Sequence, residues 1–265
     1  MFYIIYMNKY FIIIILFYLI NLSYSFTFNN YIFIKFLKNN YNLPDPNKYK
    51  NIYYYDPRIH NLGNIGLKGY IHSILAPFAT ILINNIAYNK TNIRYNILNN
   101  IPKEYSVLDL CCGVGLSTRN NATGIDTSNQ MLNIAKLMNN NNTYIKLNAE
   151  NISYLNNYDV ITLMFATHEI PSINRKNIIN NALKKTNKYL LIIDIDNNNY
   201  YKTLMKKKNN GNFFLSGEPY LIDYLLNMNK DIFNCFLNNI LHFSYTKKTL
   251  INNHIVLWNF TKRSF

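Results

Sequence analysis

The segment Val107-Leu-Asp-Leu-Cys-Cys-Gly-Val-Gly-Leu-Ser-Thr118 constrains this chain more than any other. A short apolar run of the kind that forms a buried strand carries Asp109 near its end and passes straight into a turn. Gly113 and Gly115 give that turn its backbone freedom, and they admit a ligand to main chain that a Cβ would block. From residue 105 onward, short apolar runs alternate with longer helical or polar stretches. That is the pattern of βαβ units building a mostly parallel sheet. Strands are expected at 106–110, 122–125, 143–147, 159–165 and 189–194, with a final one within 253–260. Helices are expected at 129–138, 175–186 and 219–228, and Gly217 and Pro219 suit the start of the last. The apolar stretch 71–88 reads as a helix kinked at Pro77, packed rather than membrane-inserted because His72, Asn84 and Asn85 interrupt it.

A second carboxylate, Asp126, follows Asp109 by 17 positions in Gly124-Ile-Asp-Thr-Ser128. It ends the next strand, where a carboxylate accepts hydrogen bonds from both hydroxyls of a ribose, and Thr127 or Ser128 caps the following helix. The interval from Gly115 to Asp126 is shorter than a dinucleotide-binding unit needs, so a first helix there is limited to one or two turns. The three-glycine fingerprint of nicotinamide enzymes is absent, as is a Walker loop, and both classes are set aside.

These residues resemble class I S-adenosylmethionine-dependent methyltransferases, whose first motif is an acidic residue followed by alternating glycines. Here it reads Asp109-Leu-Cys111-Cys-Gly113-Val-Gly115, with Cys111 in place of the first glycine. The resemblance implies an α/β fold: a Rossmann-like, doubly wound, mostly parallel seven-stranded sheet with an antiparallel last strand, plus an amino-terminal helical cap. It implies S-adenosylmethionine as cofactor. Gly113 and Gly115 would line its methionine part, Asp126 would hold the ribose, and Asn148-Ala149-Glu150 falls where the family's Asp-Ala-Glu meets the adenine. Asp109, Cys111, Thr127 and Phe165 complete the implied cofactor set. The blocks 56–66, Ala76-Pro77, 165–171 and Ser216-Gly-Glu-Pro-Tyr220 are similar to those of methyltransferase-domain proteins of plastid-bearing eukaryotes, over about residues 53–260. That likeness names no methyl acceptor.

His168 and Glu169 follow the fourth strand at the carboxyl edge of the sheet, which is the ligand-facing crevice of such folds. His168 is the candidate general base or acceptor-orienting group. His60 and His72, in the amino-terminal cap, are candidates to close the acceptor pocket; Glu218 and Tyr220 belong to the segment after the fifth strand, where Glu218 also suits a helix cap. Asp194 and Asp196 either face the pocket or end the sheet. Cys111 and Cys112 are expected to be inert packing in the cofactor loop, and the three cysteines suit neither a disulfide framework nor a metal-ligand spacing, so no metal is expected.

Lys and Arg total 27 against 13 Asp and Glu, a formal charge of +14. Lysine scattered among so much asparagine reads as a solvated surface written by AT-biased coding, and nucleic acid is not favoured as a partner. Residues 1–25, with Lys9, an apolar run and Ser23-Tyr-Ser25, read as a secretory signal; 26–49 is acid-poor until Asp45 and transit-like. Together they suggest the two-part address of a complex plastid, with ordinary secretion or an uncleaved anchor as alternatives and any membrane attachment confined to this segment. The domain plan is therefore signal 1–25, transit-like 26–49, helical cap 50–104 and methyltransferase domain 105–265. The expected activity is methyl transfer to a small, apolar molecule. The alternatives are RNA or protein methylation, and a cofactor-binding assembly protein without catalysis.

Overall fold

The computed structural model describes residues 52–197 and 218–264. The signal and transit-like expectations lie outside them. Seven strands form one sheet: β1 (Val107–Leu110), β2 (Thr123–Asp126), β3 (Thr143–Lys146), β4 (Tyr158–Met164), β5 (Thr186–Ile195), β6 (Phe243–Ile251) and β7 (Ile255–Lys262). Their order is β3-β2-β1-β4-β5-β7-β6, parallel through β5, with β7 antiparallel to both neighbours. The chain winds outward from β1 to β3, then returns to place β4 on the other side of β1. That reversal opens a crevice at the carboxyl ends of β1 and β4, where open α/β sheets bind ligands.

The central strands are apolar because both faces are covered: all of β1 and Val160–Met164 of β4 are buried. The helices are α1 (Gly66–Ile86), α2 (Ile93–Asn99), α3 (Asn129–Met138), α4 (Ser172–Lys185) and α5 (Leu221–Asn238). Ser128 starts α3 as expected, its hydroxyl accepting from the Met131 amide at 3.2 Å. Helices α4 and α5 add Ile178, Ile179, Leu225, Met228 and Ile232 to the main core.

Several expectations are corrected. No helix lies between β1 and β2; the chain crosses there in turns alone, because so short an interval leaves no length for one. Pro219 is not the first helical residue: α5 begins at Leu221 and runs ten residues past the expected end. Strand β6 and helix α2 were not anticipated. Helix α1 continues through Pro77, and it is packed along one face only. Leu67, Ile71, Ile74, Phe78 and Ile81 stand exposed on another, and the helix is long and apolar enough to cross a membrane, with 11% of that stretch buried.

Candidate functional site

The turn after β1 and the turn after β2 are tied together. Asp126 accepts from the Gly113 amide through one oxygen and from the Ser128 amide through the other, each at 2.9 Å. Burial pushes its carboxyl up, and these amides oppose the rise. The two turns border a cavity of about 680 Å³. Of the expected cofactor residues, Cys111, Gly113, Asp126, Thr127, Asn148, Ala149 and Phe165 lie on its wall, as do His168 and Glu169.

Asp109, Gly115 and Glu150 do not line it. Asp109 is fully buried behind the loop and accepts from Thr118 Oγ1 at 2.7 Å and Thr162 Oγ1 at 2.8 Å. Burial pushes its carboxyl up to about 6. Gly115, at φ +80°, is a packing glycine rather than a ligand-facing one, since a Cβ there would meet the Tyr144 hydroxyl at 2.5 Å. Gly113, at φ +53°, has nothing within 4 Å of where a Cβ would stand. Glu150 faces α4, accepting from Asn174 and Asn177.

Cys111, which replaces the first glycine of the motif, has φ +54°, and Phe165, at the end of β4, has φ +57°. With His60 and Asn61, at φ +49° and +58°, four non-glycine residues in the left-handed region line the cavity, each at a cost of about 1–2 kcal/mol. Burial pushes the Cys111 and Cys112 thiols up, so both are protonated packing groups.

Arg94, from α2, is a wall residue that the sequence did not single out. Its guanidinium lies 4.1 Å from the Phe165 ring centroid, and Nε donates to Ser117 Oγ at 3.0 Å. Tyr53 and Tyr54 line the cavity near Asn148.

The opposite end of the cavity is ionic. His168 is buried; its ring lies 2.7 Å from Asp194 through Nδ1, and Thr167 Oγ1 donates to the same carboxylate. Burial alone would pull His168 down, but Asp194 outweighs it and the imidazole rises to about 9. Asp194 therefore neither ends the sheet nor faces the pocket directly; it orients and charges His168. Glu218 does not cap α5. Instead His60 lies between two glutamates, with Nε2 2.8 Å from Glu169 and Nδ1 2.7 Å from Glu218. Burial opposes charge on this ring, yet the two carboxylates hold it well above the usual histidine range. Burial likewise opposes charge on Glu169, but His60 outweighs it and holds that carboxyl well below the usual carboxylate range. His72 stands edge-on to His60 at 4.8 Å, bonded through Nδ1 to the Gly63 carbonyl, and burial pushes it down.

Buried Asp56 fixes this corner by taking Arg58 in a two-pronged ion pair and the Tyr220 hydroxyl at 3.2 Å. Behind it, fully buried Arg175 binds Asp231 and donates to the carbonyls of Thr167 and Ile170, pinning the loop that carries His168.

The family described as a methyltransferase domain matches residues 107–188, from β1 into β5. Residues 107–188 thus match a methyltransferase domain. Among solved structures, the plantazolicin methyltransferase BamL, crystallised with a desmethylplantazolicin analogue and S-adenosylhomocysteine, is 18% identical, with TM-score 0.50 over 73% of this chain and 89% of that one. Magnesium protoporphyrin IX methyltransferase of Synechocystis PCC 6803 is 12% identical, with TM-score 0.44 over 71% and 96%. The N-methyltransferase NodS of Bradyrhizobium japonicum WM9 is 10% identical, with TM-score 0.44 over 64% and 86%. At these identities the likeness is one of fold. A search of curated proteins found no match.

Proposed function

We propose that this methyltransferase domain binds S-adenosylmethionine across the turns after β1 and β2 and transfers its methyl group to a small molecule held against α1. The observation that carries the reading is the Gly113–Asp126 bond, which brings a ligand-permissive turn and a carboxylate to one rim of one cavity. Asp126 takes the ribose hydroxyls. The methionine part lies over Gly113, and its carboxylate meets Arg94. Asn148 and Ala149, with Tyr53 and Tyr54, flank the adenine. Each role uses a group on the cavity wall.

Methyl transfer is an in-line displacement. A lone pair on the acceptor forms the new bond to the methyl carbon, the carbon–sulfur bond breaks, and its electron pair stays on sulfur to leave S-adenosylhomocysteine. The protein's work is to align the two and exclude water. Leu75, Ala76, Ala79 and Ile83 of α1 form an apolar wall, which supports an apolar acceptor body. Asp194 raises the His168 imidazole to about 9, so of the two roles expected from sequence, general base or acceptor-orienting group, it serves as the hydrogen-bond donor that orients the acceptor. Residues 52–104 act as the cap of this site.

The test is a titration of the full chain with S-adenosylmethionine, in wild type and Asp126→Ala, followed by mass-spectrometric detection of a methylated product among candidate apolar acceptors. Micromolar binding that weakens in the variant is expected; equal affinity in both refutes the ribose assignment.

A further inference from the structure

The three sequence blocks that the cofactor reading leaves without a role meet in one place. His60 comes from the segment before α1, Glu169 from the loop after β4, and Glu218 from the residues preceding α5. Their ligand atoms all lie within 4.8 Å of one another on the cavity wall. Two carboxylates converge on one imidazole, Glu169 at Nε2 and Glu218 at Nδ1, and a divalent cation held among the three would neutralise both. A second observation lies outside the trio. The His168 side chain is nine-tenths buried and held through Nδ1 by Asp194, yet its Nε2 makes no hydrogen bond among the described residues and stands 3.9 Å from the Glu169 oxygen that faces His60. Within the trio, Glu218 Oε2 is also buried and without a partner among the described residues.

We propose that His60, Glu169 and Glu218 bind a divalent transition-metal ion, with the fourth position open toward the cavity and faced by His168. One imidazole and two carboxylates are the mixed nitrogen and oxygen donors that zinc or manganese accepts, and three protein ligands with one open position is the arrangement of catalytic rather than structural sites. An oxygen of the methyl acceptor is the group that fits between the metal and the His168 ring. This last assignment rests on the function proposed above; the metal site itself does not. The cysteine spacing, from which no metal was expected, carries no information about it, because its ligands lie 109 and 49 positions apart in the chain.

The test uses the full chain, stripped with chelator and titrated with Zn²⁺, Mn²⁺, Co²⁺ and Mg²⁺ by calorimetry, with S-adenosylmethionine affinity measured in parallel on each variant. One transition-metal ion per chain is expected, bound at least tenfold more weakly in Glu169→Gln and Glu218→Gln, and weakened in His60→Gln. The Co²⁺ spectrum should lack a thiolate band, which excludes the three cysteines as ligands. Unchanged S-adenosylmethionine affinity in these variants shows that they are folded. Absence of stoichiometric binding to wild type, equal affinity in the glutamate variants, or a cysteine-bound Co²⁺ spectrum overturns the proposal. Metal binding with no S-adenosylmethionine binding would leave the site standing and refute the proposed function instead.

Discussion

The amide of Gly113 donates a 2.9 Å hydrogen bond to the carboxylate of Asp126, so the two turns that would grip the cofactor are already fastened to each other. The same carboxylate shapes the glycine turn and, in the proposed function, also holds the ribose. Asp126→Asn keeps one acceptor oxygen for one amide but loses the charge. It is expected to weaken S-adenosylmethionine by about 1.5–3 kcal/mol, roughly 10- to 150-fold in Kd, the worth of hydrogen bonds to a charged group. Calorimetric titration of the two proteins measures it.

The two motif glycines should separate in their effects. Gly115→Ala puts a methyl 2.5 Å from the Tyr144 hydroxyl and 3.2 Å from the Ala135 Cβ, at φ +80°. The strain and overpacking together are expected to cost about 2 kcal/mol or more of stability. Adding Tyr144→Phe removes the nearest atom and recovers part of that loss. Gly113→Ala meets no protein atom, so its cost to folding is limited to about 1–2 kcal/mol for the left-handed backbone. Its methyl enters ligand space, and cofactor affinity falls instead. Urea unfolding paired with cofactor titration distinguishes the two outcomes.

Arg94 is assigned to the cofactor's carboxylate because its guanidinium is fixed over Phe165 and bonded to Ser117 of the glycine turn. Burial pulls its pKa down, the cost of keeping a cation where no carboxylate is within ion-pair reach among the described residues. Arg94→Met should weaken S-adenosylmethionine and S-adenosylhomocysteine alike, by about 1.5–3 kcal/mol. Adenosine, which lacks the carboxylate, should bind both proteins equally. A parallel loss for adenosine would show that Arg94 acts on the shape of the turn.

Asp109 gives a pH signature of the buried motif. Its carboxyl stands at about 6 in the folded protein against 3.8 for the free group, because burial outweighs the two threonine hydroxyls. A raised folded pKa means that this group's stabilising contribution is complete below about pH 4 and is lost as pH rises through about 6. The stability of wild type relative to Asp109→Asn should fall by roughly 3 kcal/mol across that window. Urea midpoints of both proteins between pH 4 and pH 7 test it; a constant difference would mean that Asp109 is ionised throughout.

The sheet was legible wherever local chemistry decides it. Val107–Leu110 and Val160–Met164 are unbroken apolar runs because parallel central strands are buried on both faces, and Ser128 announces α3 through its cap. Strand β6 was hidden because it is an edge strand whose exposed stretch includes Lys247 and Lys248, and its partner β7 supplies the pattern instead. The turns that border the cavity were legible for a related reason: strand ends and their turns are sequence-local. The ionic end of the cavity was not. His60, Glu169 and Glu218 acquire meaning only when three remote segments meet, and no spacing encodes the 2.7–2.8 Å contacts that join them. Asp109 and Gly115 were placed in the right motif but given the wrong neighbours, since a sequence shows that a turn is tight and not which side of it faces protein.

Arg175 shows how a fully buried cation can serve the site without touching it. Its guanidinium meets Asp231 at 2.8 and 2.9 Å and Asp223 at 3.2 Å, and it donates to the carbonyls of Thr167 and Ile170 on either side of His168 and Glu169. Arg175→Met leaves Asp231 buried without its partner and frees both carbonyls, and a loss of about 3–5 kcal/mol is expected. Arg175→Met combined with Asp231→Leu removes the orphaned charge as well, so most of the stability should return. The loop still lacks both arginine bonds in the double variant, where Asp194 holds it through Thr167 and His168. Methyl transfer should therefore stay depressed after stability has recovered, while S-adenosylmethionine affinity, set by the turns after β1 and β2, stays near that of wild type. If activity recovers along with stability, the arginine is a folding residue only, and the position of the His168 loop does not depend on it.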